Sequence, residues 1–383
     1  MNASGRTFVF LTPEYPPDSG GIGDYVALLA KLLAARGARV VVQTRSPPDR
    51  IETPGVEVEL LPDDFGPATR RFLARSWASL PAGAVVIVQY VPHGFGMKGM
   101  NLPFARFLAG RRERLWLMLH EVIFPFVPGQ SLKRDVLAVV TRVMLRFAGT
   151  RAERAFVSTP AWEPWLRRYA RADLPCEWLP IPATATAPGP AEKLVPWSTP
   201  TIAHFGTYGS LVAGPLERIV LRLLAGASDL ELVLIGRGSE AFRAELVAEH
   251  AELTTRLRAT GAVPPERVSF ELARAWVTLF PFDEGVTTQR TSLMSALAAG
   301  AVIVTTDGYC TESVWRRSGA VELVDASHLD AMAESAQRLL ADAPRRNELR
   351  RRAQALYAER FDAVHVVKRL CEAYAGVPGP ASA

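Results

Sequence analysis

The chain has 383 residues, of which 49% are hydrophobic and 22% charged, and its formal net charge at pH 7 is +5. This length suffices for two domains of ordinary size, and the composition excludes a collagen, a coiled coil or a long disordered tract. The three cysteines, Cys176, Cys310 and Cys371, are far apart and form no CxxC pair, which argues against a disulfide framework and against a zinc site.

The first half of the chain alternates short apolar runs with helical patterns. Residues 7–11 predict a strand, residues 25–36 a helix with Gly37 just past its end, and residues 38–43 a second strand, which together form a βαβ unit. Further strands are predicted at residues 56–61, which suit a sheet edge, and at residues 84–90, 115–119 and 155–158. Such alternation indicates a parallel sheet covered by helices on both faces.

No signal peptide or membrane span is predicted. The opening apolar run stops at Pro13, and no stretch reaches the roughly 18 apolar residues of a membrane-spanning helix, so we expect a cytoplasmic protein. Between Arg106 and Arg171 the chain has 13 Lys and Arg against 5 Asp and Glu. This basic stretch predicts either a solvated helix face or a peripheral contact with the inner membrane face. Aromatic residues do not interleave with these charges, so no nucleic acid partner is expected.

Residues 180–200 carry a proline every few positions and cannot form a regular helix or a central strand. We interpret residues 183–200 as a linker between an N-terminal domain, residues 1–182, and a C-terminal domain, residues 201–365. A last helix and tail, residues 366–383, would pack back on the N-terminal domain. Strands of the second domain are predicted at residues 202–206, 230–235, 276–280, 301–305 and 321–324, followed by helical residues 329–374.

The predicted fold class is therefore α/β, with two Rossmann-like, doubly wound parallel-sheet domains facing a cleft. Ligands of such folds bind at the carboxyl ends of the strands. Functional residues are accordingly expected in the loops that follow strands.

The first such loop is glycine-rich and spans residues 19–25. Its glycines, Gly20, Gly21 and Gly23, allow close approach of a ligand, and the helix that follows offers free N–H groups to an anion. A dinucleotide site is the rival interpretation, but Val26 replaces the third glycine of that motif and no acid ends the second strand. A glycine turn with only a structural role is the other alternative.

A second candidate follows a strand of the second domain. Glu284 can accept hydrogen bonds from sugar hydroxyls, while Arg290 and the following helix N-terminus favour a phosphate. Ser292 lies at the start of that helix. A capped helix preceded by an acidic turn is the structural alternative, but it would not require the arginine.

Two further strand ends carry polar residues. His120, next to Glu121, can bind a sugar or handle a proton, or it can be a buried, hydrogen-bonded core residue. Residues 89–96 form an aromatic, glycine-rich loop in which Tyr90 and His93 are predicted to bind the acceptor; a plain connecting loop is the alternative.

The order of these features resembles the family 4 glycosyltransferases of the GT-B type. The resemblance covers almost the whole chain and is carried by residues 13–23, 119–121, 205–207, 235–238 and 284–300. It implies retaining, hexosyltransferase-type transfer from a nucleoside-diphosphate sugar, without a cofactor or bound metal. The acceptor class stays open between a glycan, a lipid-linked glycan and a small molecule.

The resemblance also implies roles for individual residues. His120 would lie near the transferred sugar, Glu284 would engage that sugar, and Arg290 would stabilise the leaving group. Apart from the resemblance, Tyr90, His93 and Glu121 are the residues that we predict to bind the acceptor. The implied donor-binding residues are Gly20, Gly21, Gly23, Gly206, Thr207, Gly236, Arg237, Gly261, Val263, Gly285, Val286 and Ser292.

Two departures from the family pattern bear on activity. Ser292 stands where the family usually has a second glutamate, and no Arg or Lys clamp follows residues 205–206. Arg290 and Arg237 are the best substitutes in sequence, and a subgroup of the family resembles this chain in having arginine and then serine here. The rival functions are a catalytically silent relative that binds a nucleotide or sugar, an NAD-linked enzyme, and a phosphorylase, for which no cofactor lysine can be placed.

Overall fold

The computed structural model describes residues 2–18, 20–45, 53–185, 196–226 and 229–376. The chain forms two compact units, which we call unit 1 (Met1–Pro180 and Ala363–Ala383) and unit 2 (Ile181–Asp362). Ser19 and residues 186–195 of the predicted linker lie outside the described residues. Within the described ranges, no helix combines the length and apolar character needed to cross a membrane.

Unit 1 contains a seven-stranded sheet in which every described strand pair is parallel. Its strands are β1 (Thr7–Thr12), β2 (Arg39–Thr44), β3 (Val56–Leu60), β4 (Val85–Tyr90), β5 (Arg114–Leu119), β6 (Arg154–Val157) and β7 (Cys176–Trp178). Their order is β3-β2-β1-β4-β5-β6-β7. Every residue of β1 and β4 is buried because helices cover both faces, whereas β3 alternates valine with glutamate, is nowhere fully buried and lies at the edge, as predicted.

The helices of unit 1 cover this sheet. They are α1 (Gly21–Ala34), α2 (Pro67–Ala78), α3 (Leu102–Ala109), α4 (Leu132–Arg151), α5 (Glu163–Tyr169) and, from the end of the chain, α13 (Ala363–Tyr374). Asn101 caps α3, because its side chain accepts a hydrogen bond from the backbone N–H of Phe104 at 3.0 Å. One core cluster runs from β1 and β4 to α2, α3 and α4 and includes Trp77, Tyr90 and Phe104.

Unit 2 repeats the architecture with six parallel strands in the order β10-β9-β8-β11-β12-β13. The strands are β8 (Thr201–Phe205), β9 (Glu231–Ile235), β10 (Leu257–Ala259), β11 (Val277–Phe280), β12 (Ile303–Asp307) and β13 (Glu322–Asp325). The helices are α6 (Ser210–Ala225), α7 (Ser239–Glu249), α8 (Pro265–Arg274), α9 (Thr291–Ala298), α10 (Ser313–Ser318), α11 (Leu329–Ala341) and α12 (Ala343–Leu356), followed by a π-helical turn, Tyr357–Phe361.

Two strands were not predicted from sequence, β7 and β10. Each has three residues, with a charged residue at the centre and an apolar residue on either side. Such segments lack the apolar run that identifies a buried strand. They pair only because β6 and β9 present free edges to them.

Both sheets reverse their strand order once. In unit 1 the chain moves from β1 to β2 on one side and later to β4 on the other, and in unit 2 the same reversal separates β8 from β11. The loops after the two central strands therefore diverge and leave a crevice at the carboxyl end of each sheet.

The last helix, α13, returns to unit 1. Arg6 donates a hydrogen bond from Nη1 to the carbonyl oxygen of Cys371 at 2.8 Å, and the rings of Phe8 and Tyr374 lie 5.1 Å apart. Arg369 donates from Nε to Glu177 at 2.6 Å, and Glu177 also pairs with Arg154. These three side chains are between 8% and 13% exposed, so the ion pairs are shielded from water.

We predict that Glu177→Gln lowers the free energy of unfolding by about 3 kcal/mol, because two nearly buried arginines would lose their shared counter-charge. The measurement is urea unfolding followed by circular dichroism. The matched control is Glu57→Gln, which opens a pair with Arg39 at 3.0 Å whose side chains are more than half exposed, and it should cost less than about 1 kcal/mol. Equal losses for the two variants would contradict a structural role for the buried pair.

Candidate active site

The glycine loop after β1 holds an internal carboxylate. Glu14 Oε1 accepts hydrogen bonds from the backbone N–H groups of Ile22 at 2.9 Å and Gly23 at 3.1 Å, in the first turn of α1. A Cβ atom on Gly20 would lie 2.2 Å from Glu14 Oε1, so glycine is needed for this approach. The free amides that the sequence offers to a ligand anion are thus capped by Glu14, and a phosphate would have to displace that carboxylate.

His120 lies at the carboxyl end of β5 and is 9% exposed. Its Nε2 lies 2.8 Å from Gln89 Oε1, and the ring of Tyr25 meets its ring edge-on at 5.4 Å. Burial lowers the pKa of His120 to about 3, so the imidazole is neutral at neutral pH. With Gln89 Oε1 as acceptor, Nε2 carries the hydrogen and Nδ1 is left as the acceptor.

His93 and Glu121 meet at the surface of unit 1. His93 Nδ1 lies 3.1 Å from Glu121 Oε2, and both side chains are more than half exposed. The hydrogen bond to Glu121 raises the pKa of His93, and the negative charges of Glu121 and Glu14 act in the same direction. The loops after β1, β4 and β5 therefore bring these two carboxylates and a histidine together.

Tyr90 differs from the other predicted acceptor-side residues. Its ring is 1% exposed and packs against Phe95 at 5.8 Å, inside the core of unit 1. The strand pattern points this last residue of β4 inward, so its side chain supports the loop rather than forming ligand-accessible surface. In the glycine loop after β1, Gly21 lies at the first position of α1 and is exposed.

In unit 2, the loops after β8, β9 and β10 touch through their backbones. Gly206 donates from its N–H to the carbonyl of Ile235 at 3.2 Å, and Gly236 donates to the carbonyl of Gly261 at 3.1 Å. Gly236 has φ +108°, and a Cβ atom there would lie 2.4 Å from the carbonyl oxygen of Gly206. Only glycine fits at Gly236, and the three predicted donor-binding glycines form one contiguous strip of backbone.

Neighbouring predicted residues flank this strip. Thr207 and Arg237 are exposed, Val263 is half-buried, and Tyr208 stacks on Phe242 at 5.2 Å. The Tyr208 hydroxyl donates to the carbonyl of Ile235 at 3.2 Å, which fixes the turn after β8.

Glu284 and Arg290 form an ion pair after β11. Glu284 Oε2 lies 3.2 Å from Arg290 Nη2, with side chains 39% and 33% exposed. The guanidinium also lies over the ring of Phe282, 4.9 Å from its centroid. Arg290 immediately precedes α9, and half-buried Ser292 lies in its first turn. The structure thus brings together the acid, the arginine and the helix N-terminus expected to bind the sugar and diphosphate.

Gly285 and Val286 position this pair. Gly285 has φ +88°, and a Cβ atom there would lie 2.3 Å from Thr311 Oγ1 and 2.4 Å from the backbone nitrogen of Gly308. Val286 is fully buried and donates from its N–H to the carbonyl of Thr306 at 2.9 Å. Both residues therefore serve the backbone of the Glu284 loop.

Sequence reasoning missed two residues of this edge. The buried Glu312 accepts hydrogen bonds from the N–H and Oγ1 of Thr288, each at 2.9 Å, and from Trp315 Nε1 at 2.6 Å, so it fixes the segment that leads to Arg290. Tyr309 is 83% exposed in the loop after β12, whose Cys310 N–H donates to the Glu284 carbonyl at 2.9 Å. An acid that follows a strand and starts a helix was the available signal for Glu312.

The described part of the chain contains no cluster of metal-ligating side chains. No three or more His, Cys, Asp or Glu side chains lie close enough there to hold a metal ion. Three carboxylates of the two sheet edges have other partners: Glu121 pairs with His93, Glu284 with Arg290, and Glu14 with backbone N–H groups.

Known proteins share this architecture. Residues 219–356, within unit 2, match the family model described as Glycosyl transferases group 1. No curated protein sequence matches the chain. The fold defines the class as a GT-B architecture of two parallel-sheet α/β domains, and part of the second domain is similar to the group 1 glycosyltransferases. The predicted α/β class, with two parallel-sheet domains, is therefore confirmed.

Three solved structures illustrate the likeness. A sucrose-phosphate synthase from Thermosynechococcus elongatus has a TM-score of 0.74 at 17% identity, over 97% of this chain and 98% of that one. HepE from Anabaena, in complex with UDP and glucose, gives 0.70 at 16%, over 97% and 100%. WaaG, a glycosyltransferase involved in lipopolysaccharide biosynthesis, gives 0.68 at 15%, over 96% and 100%. At such identities the likeness establishes the fold.

The burial of His120 leads to a pH-dependence prediction. Its folded pKa of about 3 lies below the ordinary value of 6.5, so the unfolded chain binds more protons between these pH values and stability falls as pH falls. The loss should approach about 1.4 kcal/mol per pH unit between pH 6 and pH 4. His120→Asn removes this contribution, so the stability difference between wild type and variant should shrink on acidification. Urea unfolding at several pH values measures it, and a constant difference would contradict a buried neutral imidazole.

Proposed function

We propose that the protein is a glycosyltransferase that moves a sugar from a nucleoside-diphosphate sugar to an acceptor hydroxyl, with retention at the anomeric carbon. The observation that carries this proposal is the Glu284–Arg290 pair at the N-terminus of α9, within the region that matches the group 1 glycosyltransferases. Structures of the same fold that hold UDP and glucose favour a uridine nucleotide as the first donor to test.

The donor would exchange partners with the ion pair. The carboxylate of Glu284 is suited to accept hydrogen bonds from sugar hydroxyls, and Arg290 is suited to the diphosphate. The bond between the anomeric carbon and the diphosphate oxygen breaks, and negative charge grows on that oxygen. Arg290 and the N–H groups at the start of α9 would stabilise this charge where it develops. Ser292 would offer a hydroxyl to the donor where relatives have a carboxylate.

Retention requires the acceptor oxygen to bond to the anomeric carbon from the face that the diphosphate leaves. The acceptor's proton can then pass to the departing diphosphate oxygen on that same face, so no carboxylate nucleophile is needed. His120 would bind the sugar as a neutral group, because a pKa of about 3 is far below that of an efficient general base at neutral pH. His93 and Glu121 would bind acceptor hydroxyls. No metal or cofactor enters this proposal.

Unit 1, which contains the predicted acceptor-binding residues, has a surface suited to contact with a lipid membrane. On α4, Leu132, Val136, Val139 and Val143 are between 37% and 78% exposed and follow helical spacing, so they form one apolar stripe. Phe126 and Val127, just before the helix, are about half exposed. The exposed cations Lys133 and Arg146 border the stripe. Apolar side chains bordered by cations complement an anionic bilayer surface, so we propose that α4 contacts the membrane that carries a lipid-linked acceptor.

Two measurements test the donor assignment: the melting temperature of the protein with nucleotides, and the rate at which it turns over a UDP-sugar. UDP should raise the melting temperature of the protein, with GDP, ADP, dTDP and NAD as comparators, because a ligand bound only by the folded state stabilises it. Glu284→Gln and Arg290→Gln should each lower the rate of UDP-sugar turnover about 100-fold. The matched control is Glu334→Gln, which opens an exposed pair with Arg222 in the same unit and should leave turnover unchanged.

Each outcome decides between functions. Nucleotide binding without any turnover would establish the catalytically silent relative in place of the enzyme. Stabilisation by NAD alone would overturn the proposal. Turnover that stops on removal of divalent metals with EDTA would contradict the metal-free mechanism.

The membrane prediction uses vesicle co-sedimentation. Wild-type protein should sediment with vesicles of phosphatidylcholine and phosphatidylglycerol, and the triple variant Leu132→Ser, Val136→Ser, Val139→Ser should lose most of this binding. The control replaces Leu60 and Val364, which are exposed apolar residues of unit 1 outside the stripe, by serine. Equal binding by the triple variant and the control would contradict a membrane role for α4.

A further inference from the structure

A depression on the surface of unit 1 lies away from the loops that follow its strands. It has a volume of about 420 Å³ and runs along one face of α3 and its C-cap, with one residue contributed by α2. The lining residues are Arg70, Pro103, Arg106, Phe107, Gly110 and Arg111. Pro103, Arg106, Phe107 and the C-cap Gly110 are spaced i, i+3, i+4 and i+7, as one helix face requires, and Arg111 follows the C-cap. None of the six belongs to the candidate active site.

The depression has an uncompensated positive charge. Three of its six lining residues are arginines and none is acidic. Among the described residues, none of these three guanidinium groups forms an ion pair or a side-chain hydrogen bond. Other arginines of unit 1 do have such partners, as Arg114 has in Glu153 at 2.8 Å. The three charges therefore converge on one space without a protein counter-charge.

Packing holds part of this arrangement in place. The guanidinium of Arg111 lies over the ring of Phe107, 4.6 Å from its centroid. Phe107 itself packs against Trp77 and Phe104, both of them core residues. A guanidinium stacked on a fixed ring loses little further freedom when it binds an anion, and its N–H groups stay available.

We propose that this depression is a binding site for a phosphate group, separate from the proposed donor site. Several guanidinium groups around one concavity suit the multiple oxygens of a phosphate, since each can donate two parallel hydrogen bonds. The rings of Phe107 and Pro103 would contact the carbon portion of the same ligand. A soluble phosphorylated metabolite and the headgroup of an anionic lipid share this chemistry.

The test uses the full-length protein, with inorganic phosphate and anionic vesicles as probes. Arg106→Gln with Arg111→Gln should weaken phosphate binding, measured by calorimetry, about tenfold or more, because charge-assisted hydrogen bonds are lost. The control, Arg112→Gln with Arg151→Gln, removes the same net charge from exposed positions outside the depression and should change binding less than about twofold. Melting temperatures of both double variants verify folding.

Two results would support the site and assign its ligand. Loss of inorganic phosphate binding in the first double variant alone assigns a soluble phosphate. Loss of binding to phosphatidic acid vesicles in that variant alone, with α4 intact, assigns a lipid headgroup. The proposal would be overturned if the wild-type protein bound neither phosphate nor the vesicles. Equal losses of binding in the two double variants would also overturn it.

Discussion

Parallel strand direction is the constraint on which both candidate edges depend. Because every described strand of a sheet runs the same way, all loops that follow strands emerge at one edge. The single reversal of strand order then separates the loops after β1 and β4, and those after β8 and β11. Chemistry-bearing residues far apart in sequence, such as Glu14, His93 and Glu121, become neighbours for this reason.

Three carboxylates at these edges already have protein hydrogen-bond or ion-pair partners. Glu14 caps α1, Glu284 pairs with Arg290, and Glu312 holds Thr288. A ligand must therefore exchange these partners for its own phosphate and hydroxyl groups, and its affinity is the difference between two sets of interactions. The depression of unit 1 contrasts with them, because among the described residues its three guanidinium groups have no ion-pair or hydrogen-bond partner to displace.

His120 and His93 differ in burial and in their neighbours, and their pKa values are shifted in opposite directions. His120 is enclosed, loses the stabilisation of its charged form and stays neutral, which favours sugar binding over proton transfer. His93 is solvent-exposed beside a carboxylate, which favours its charged form. Two residues of one type, at the ends of adjacent strands, thus have pKa values shifted in opposite directions because of their surroundings.

The sequence by itself determined the parallel α/β class, most strands, the edge position of β3 and the glycine-rich loops, because apolar runs and glycines act locally. Only the tertiary structure decided the pairing of β7 and β10, the burial of Tyr90, the Glu14 cap on α1 and the role of Glu312. Each of these depends on contacts between segments distant in the chain or on which face of an element is enclosed. Local pattern cannot specify such contacts, since the same residues would satisfy it equally well facing water or the core.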